Sequence, residues 1–318
     1  MRSALYVPGD SPEKLAGALG RGADALIVDL EDAVPPAGKD RARAAVAEWL
    51  NSLPRVAGTG GGAEDGSEDA GAAGGPREHL RRGGGGRTAG SREIWVRVNP
   101  GEAGHEDLRA VALPGVTGVC VAKTESAAEL AAVDAVLGGA PWIGVCPLLE
   151  SGAAVLAAAE IARAPRVVRL QLGEADLRAD LGVEPGPDER ELLWARSQVV
   201  LASAAARIAP PLGPVSTDFR DLDRLRASTL ALRRLGFRGR ACVHPAQIAV
   251  VNEVFTPTGE ELERARRLVE RFEASGTGVV LDDAGRMVDE AVIRQARRTL
   301  AAASRWPGAP GDPSRAPV

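Results

Sequence analysis

The chain has 318 residues, 45% of them hydrophobic, and a formal net charge of −4 at pH 7. That length holds one large domain or two smaller ones, and the lack of a basic excess excludes nucleic acid as the main partner. Its apolar stretches are far shorter than a membrane span needs, and MRSALYVPGD does not read as a signal peptide, so a cytoplasmic protein with no membrane partner is expected.

Taken in order, short apolar runs alternate with longer amphipathic segments. The first run, 3–7, meets Pro8-Gly9, and Asp10 or Ser11 is placed to cap a helix that starts with Pro12. The second, 25–30, ends in Glu31-Asp32 and precedes a charged helix over 39–50. Residues 55–92 then break the pattern, holding 13 of the chain's 38 glycines and almost no large apolar side chain. Such a segment buries too little surface to offset its ordering entropy. A disordered insertion is expected there, and His79 inside it carries little functional weight.

Order resumes with a strand at 93–98. His105 then falls in what reads as a polar loop. The fourth run, 118–122, ends at Lys123 and leads to a helix over 126–137. The fifth, 143–149, stops at Glu150, and an Ala-rich helix follows over 152–162. The sixth, 167–172, stops at Gly173-Glu174-Ala175-Asp176, and a long helix spans 188–206. A weak seventh strand at 212–217 contains Gly and Pro, a helix covers 222–235, and an eighth run at 240–243 closes on His244-Pro245. A charged helix over 259–274, the segment GVVLDDAGRMVDE and a final helix complete the chain. Cys120, Cys146 and Cys242 each sit inside an apolar run without metal-ligand spacing, and read as small core side chains in a reducing compartment.

Eight strands alternating with helices predict a (β/α)8 TIM barrel over 1–250, interrupted at 55–92, with a helical extension over 251–318. A doubly wound open sheet competes, but no GxGxxG follows the first strand. In a barrel the C-terminal strand ends converge on one mouth, where active sites form. Here those ends read Pro8-Gly9, Glu31-Asp32, Arg97-Asn99, Lys123, Glu150, Gly173-Glu174-Asp176, Asp218 and His244. Nearly every one is charged, with acids and bases mixed. Two hard oxygen donors on neighbouring strand ends suit a Mg²⁺ that keeps positions open for substrate oxygens.

Plainer roles compete at each position. Glu31 and Asp32 could cap the next helix. Arg97 could pair internally with Glu31 instead of a substrate carboxylate, and Lys123 with Glu125 or Glu150. Glu150 could cap a helix at Ser151-Gly152. Asp176 and Asp180, four residues apart, share a helical face, so that one ligates while the other pairs with Arg178. His244 before Pro245 reads as a structural hydrogen-bonder rather than a base.

The stretches RSALYVPGD, VDLEDAV, VRVNP, AKTES, PLLES, GEADLRADLG, TDFRDLD and GRACVHPAQI, with VFTPTGEELERARRLVE and GRMVDEAVIRQAR in the tail, follow one another along the chain. Together they resemble the citrate lyase beta-subunit-like branch of the HpcH/HpaI aldolase family, which includes malyl-CoA and citramalyl-CoA lyases. The resemblance implies a Mg²⁺-dependent lyase that cleaves, or forms, a 3-hydroxy-3-carboxyacyl-CoA from an acyl-CoA and a 2-keto acid. It further implies a homotrimer or dimer of trimers. By motif, Glu150 and Asp176 would hold the metal, Arg97 would grip the keto-acid carboxylate, and Glu31 would orient Arg97 or a water at the metal. Tyr6, Lys14 and Asp218 would line the coenzyme A side, and Asp289 would be an acid/base from a neighbouring subunit's tail packed over the site. A citryl-thioester lyase subunit working on an acyl carrier protein, a malyl-CoA thioesterase and a non-catalytic metabolite-binding scaffold are the alternatives. The chain departs from the family pattern at its insertion and at Gly173-Glu174-Ala175 before the metal aspartate.

Overall fold

Parallel strands are buried on both faces when their crossover segments pack against them, so they read as unbroken apolar runs rather than alternating ones. The buried runs of this chain build such a sheet. The computed structural model describes residues 1–53, 92–276 and 278–304, and the predicted insertion lies, but for Arg92, outside them.

The strands are β1 (Ser3–Pro8), β2 (Ala25–Asp29), β3 (Glu93–Val98), β4 (Gly118–Val121), β5 (Gly144–Leu149), β6 (Gln171–Leu172) and β7 (Arg240–Cys242). They pair in parallel in the order β6-β5-β4-β3-β2-β1-β7. Single parallel bridges, Gln171 to Leu212 and Gly213 to Arg240, join the two edges of this curled sheet. The expected TIM barrel is therefore present, with its seventh strand reduced to a two-residue link. Pro211 and Pro214 flank that link and bring no N–H to a ladder. β6 is likewise shorter than the run at 167–172, because Val167 makes only an isolated bridge to Val145.

Inside the barrel a layer of Ala4, Ala25, Ile27, Trp95, Cys120, Cys146, Leu212 and Ala241 packs as the core. Cys120 and Cys146 are register partners on β4 and β5, and all three cysteines are buried and free. Gly118 is needed beside them, since a Cβ there would lie 2.8 Å from a ring carbon of Trp95.

Helices follow the strand ends as expected, with local differences. The first, Pro12–Ala18, has proline in its opening turn, while the Ser11 side chain makes no capping bond. Ser126 caps Ala127–Val136 and Ser151 caps Gly152–Leu156, each accepting from an amide three residues on. The Ala-rich segment divides into Gly152–Leu156 and Ala158–Ile161. The polar loop expected around His105 is instead a helix, Gly101–Val111, burying Gly104, Asp107, Leu108 and Val111. That spacing is the stripe of a half-buried helix, disguised because two of its four members are Gly and Asp. His105 sits on it with Nδ1 3.3 Å from Glu102 Oε2.

Two compact units are present, Met1–Asn252 and Glu253–Val318. The second contains a helix, Gly259–Ser275, opened by a Thr258–Glu261 capping box. An antiparallel pair, β8 (Val279–Leu281) and β9 (Met287–Asp289), follows, and then the helix Glu290–Ser304. Among the described residues no helix is long and apolar enough to cross a membrane.

Candidate active site

Register puts the first two charges together. Asp29 closes β2 and is the parallel partner of Arg97 on β3, so both leave the sheet at one level. Arg97 donates Nε to Asp29 Oδ1 at 2.7 Å and Nη2 to Oδ2 at 2.6 Å, a two-pronged contact between buried side chains. Its remaining nitrogen, Nη1, lies 2.9 Å from Glu31 Oε2 and 3.1 Å from Asp32 Oδ2. Glu31 is the expected internal partner of Arg97. It is one partner, but Asp29, which the pattern of strand-end charges does not single out, is the principal one. Burial works against the Arg97 charge, but the Asp29 hydrogen bonds together with the surrounding negative charges of Asp29 and Glu31 outweigh it, so the guanidinium stays protonated. Its plane also lies 5.0 Å from the Tyr6 ring centroid, while Tyr6 Oη accepts from Gln171 Nε2 at 3.0 Å.

Lys123 follows β4 in the left-handed region at φ 51°. This turn sends its parts in different directions. The backbone amide donates to Glu150 Oε2 at 3.1 Å, and the ammonium meets Glu31 and lies 3.5 Å from Asp32. Lys123 is therefore not an ammonium partner of Glu125 or Glu150 as expected; it bridges the β2 exit to the β5 exit. Lys39 adds a further tie, donating Nζ to the carbonyls of Leu30 at 2.8 Å and Glu31 at 2.6 Å and to Asn99 Oδ1 at 2.8 Å. Burial raises the Glu31 carboxyl above its ordinary range, with Lys123 and Arg97 pulling it back.

Glu150 is buried at the end of β5. Burial, and then the like charges of Asp176 and Glu31, push its carboxyl up to about 7. Asp176 is exposed on the first turn of the helix Glu174–Leu181. Gly173 makes this approach possible, because a Cβ there would stand 2.7 Å from Glu150 Oε1 and 3.0 Å from its Cδ. Gly173→Ala should therefore displace the Glu150 carboxylate and reduce turnover by at least about tenfold, with a smaller effect on Tm, since a 1 Å misplacement at a site can cost more than that. Steady-state rates beside a thermal melt check it.

Arg97 and Lys123 thus stand among Asp29, Glu31, Asp32, Glu150 and Asp176. Even with the Lys39 ammonium beside them, three cations face five carboxylates, an imbalance that a divalent cation would relieve. Among the described residues no three His, Cys, Asp or Glu converge as a closed cage. Glu150 and Asp176 are near enough for their charges to interact, and two hard carboxylate donors are a chemistry that fits Mg²⁺, an ion that keeps several waters.

The other predicted residues have contacts or exposure of their own. Lys14 is exposed on the first helix. Asp218 is exposed and folds a turn, Oδ1 accepting from the amides of Arg220 at 3.0 Å and Asp221 at 3.2 Å. Asp289 belongs to the second unit and caps its last helix, accepting from Ala291 N at 2.9 Å and Val292 N at 3.1 Å. Asp180 accepts from the Gly152 amide at 2.8 Å rather than pairing with Arg178. His244 accepts from Ala246 N at 3.2 Å and stacks on Phe219, as a structural residue would.

Known proteins resemble this chain in sequence and fold. The model of the HpcH/HpaI aldolase/citrate lyase family matches residues 2–61 and 87–245, leaving out the glycine-rich stretch between. A citrate lyase subunit beta-like protein of Deinococcus radiodurans is 34% identical, over 94% of this chain and 96% of its own length. A (3S)-malyl-CoA thioesterase of Cereibacter sphaeroides is 33% identical, over 95% and 94%. Among solved structures, CitE of Mycobacterium tuberculosis in complex with magnesium, acetoacetate and coenzyme A superposes with a TM-score of 0.71 at 29% identity, covering 96% of this chain and 100% of that one.

Proposed function

The chain belongs to the HpcH/HpaI aldolase/citrate lyase family, and from that premise we propose that it is a Mg²⁺-dependent carbon–carbon lyase. Its substrate would be a 3-hydroxy-3-carboxyacyl-CoA of the malyl-CoA or citramalyl-CoA type, parted into acyl-CoA and a 2-keto acid. The observation that carries this reading is the convergence of Arg97, Lys123 and five carboxylates at the exits of β2 to β6. The CitE structure, holding magnesium, acetoacetate and coenzyme A, supports the ligand classes.

Glu150 and Asp176 would hold the ion, which when bound supplies Lewis-acid polarisation of the substrate's hydroxyl and carboxylate oxygens. Arg97 is held at its Nε and Nη2 side by Asp29, and its Nη1 side meets Asp32, whose side chain is 57% exposed. An exposed pair is weak. The substrate carboxylate can displace Asp32 and take a planar grip that lysine would not reproduce. Loss of the hydroxyl proton lets the C–C electron pair pass to the thioester as an enolate while the hydroxyl carbon becomes the keto acid's carbonyl. Protonation of the enolate carbon completes acyl-CoA, a transfer worth about 10²–10⁴-fold when an acid is positioned for it. Glu31, linked to both Arg97 and Lys123, keeps the carboxylate grip oriented. Asp289, brought by a neighbouring subunit in a homo-oligomer, is the residue we assign as acid/base: its carboxylate takes the hydroxyl proton and returns it to the enolate carbon.

The Cereibacter relative favours a second reading, thioester hydrolysis on the same array. One assay separates the two. Malyl-CoA with Mg²⁺ should give glyoxylate and acetyl-CoA, and the reverse mixture of glyoxylate or pyruvate with acetyl- or propionyl-CoA should give the condensed thioester by mass. Free malate and CoA with no keto acid would overturn the lyase reading in favour of hydrolysis.

The pH dependence of metal binding follows from Glu150. A carboxyl raised to about 7 in the folded chain, against an ordinary value of 4.5, binds more protons folded than unfolded between those limits. Its contribution to stability is therefore lost as pH rises through that window. The ion and the proton compete for the same oxygens. The rise in Tm on adding Mg²⁺ should accordingly be larger at pH 8 than at pH 6, measured by differential scanning fluorimetry.

A further inference from the structure

The helix that carries Asp176 is tied down at both ends, and we infer that Glu174 and Asp180 are positioning residues that set the separation of Asp176 from Glu150. This rests on the metal assignment above and goes beyond it. At the first position of the helix, Glu174 is buried and accepts a two-pronged contact from Arg196, Nε to Oε1 at 2.6 Å and Nη2 to Oε2 at 2.7 Å. Arg196 is itself buried and also donates to Glu189 Oε2 at 2.8 Å. Glu189 stands at φ 53° and takes a second bond from Ser228 Oγ at 3.0 Å. Ser228 in turn accepts from Arg240 of β7 at 3.1 Å. The start of the Asp176 helix is thus anchored through four side chains to a strand on the far side of β6. Six residues on, Asp180 accepts the Gly152 amide, two positions beyond Glu150. The tie at Glu174 holds the start of the helix to β7 and the tie at Asp180 holds its end to the β5 exit, while Gly173 lies against Glu150.

None of these side chains belongs to the carboxylate and cation array at the mouth, and both Glu174 oxygens are taken up by Arg196. That explains the altered Gly173-Glu174-Ala175 stretch: the acid before Asp176 serves the frame rather than the ion. Partners of this kind, one step removed from a metal ligand, are typically worth about 10–100-fold in metal affinity or activity when removed. Glu174→Gln leaves Arg196 paired with Glu189, so it does not strand a buried charge. Asp180→Ala alters an exposed side chain, which keeps folding intact. Arg196→Lys retains every charge but loses the fork, so it separates positioning from mere field strength.

The test uses the full-length chain and Mn²⁺ as probe, reading the free-ion signal by electron paramagnetic resonance beside a metal-free melt. Each of the three variants is expected to raise the Mn²⁺ Kd by about tenfold, with Asp180→Ala keeping the wild-type Tm. Wild-type affinity in all three variants, together with its loss in Asp176→Asn, would overturn the positioning role and leave the metal assignment standing. Unchanged affinity in Asp176→Asn would instead overturn the metal assignment, and this inference with it. Affinity lost only where Tm also falls, with Asp180→Ala binding normally, would reduce Glu174 to a structural residue.

Discussion

Arg97→Met is expected to cost about 3–5 kcal/mol of stability and to abolish turnover, whereas the double variant Asp29→Asn/Arg97→Met should recover much of the stability and none of the turnover. The single change leaves Asp29 buried with no guanidinium, and removing one partner of a buried pair costs more than the pair contributes. Replacing both members by uncharged groups removes that penalty. Glu31 retains Lys123 in either variant and Asp32 faces solvent, so neither adds a comparable cost. Arg97→Lys should fall between, because one ammonium cannot make the two contacts at 2.7 and 2.6 Å that Asp29 receives. Urea unfolding and the malyl-CoA assay on the same preparations decide the matter. Turnover surviving in the double variant would mean that Arg97 serves the fold alone. A single variant as stable as wild type would mean that Asp29 does not depend on it.

This pair also shows what could be read from the sequence and what could not. Each strand exit advertised its charge, since an apolar run ending in Glu31, Arg97, Lys123 or Glu150 is unambiguous in one dimension. Which of the three neighbouring acids in VDLED takes the two-pronged contact of Arg97 is a question of register. Asp29 pairs with Arg97 because the β2 and β3 backbones align at those residues, a match that no period within either strand encodes. The seventh strand failed for a local reason, the prolines on either side of Leu212 and Gly213. The helix over Gly101–Val111 was hidden because its buried face uses Gly104, packed on Asn99, and Asp107, which accepts from Asn99 and Arg43. Lys123 misled in another way: its left-handed backbone sends amide and ammonium to different acids. The Glu174–Arg196 contact joins residues 22 apart through a loop, where only three-dimensional closure brings them together.

Asp176→Asn should lower Mg²⁺-dependent turnover by at least about 10²–10³-fold, since the ion's stabilisation of developing charge is worth several kcal/mol and each 1.4 kcal/mol is tenfold. An amide oxygen can still ligate, so part of the loss should appear as a higher Mg²⁺ requirement and part as a lower kcat. A second readout makes the assignment hard to mimic by simple damage. Asp176 is the leading charged contributor to the raised Glu150 carboxyl, after burial itself. Removing that charge should bring Glu150 below its value of about 7, so the proton competes with the metal only at lower pH. The variant is therefore expected to bind Mg²⁺ more weakly and yet to hold what affinity it has further into the acid range. A variant that merely loosened the site would weaken binding without moving the pH at which it fails. If Mg²⁺-induced stabilisation of Asp176→Asn fades at the same pH as in the wild type, Asp176 does not face Glu150 across a shared ion.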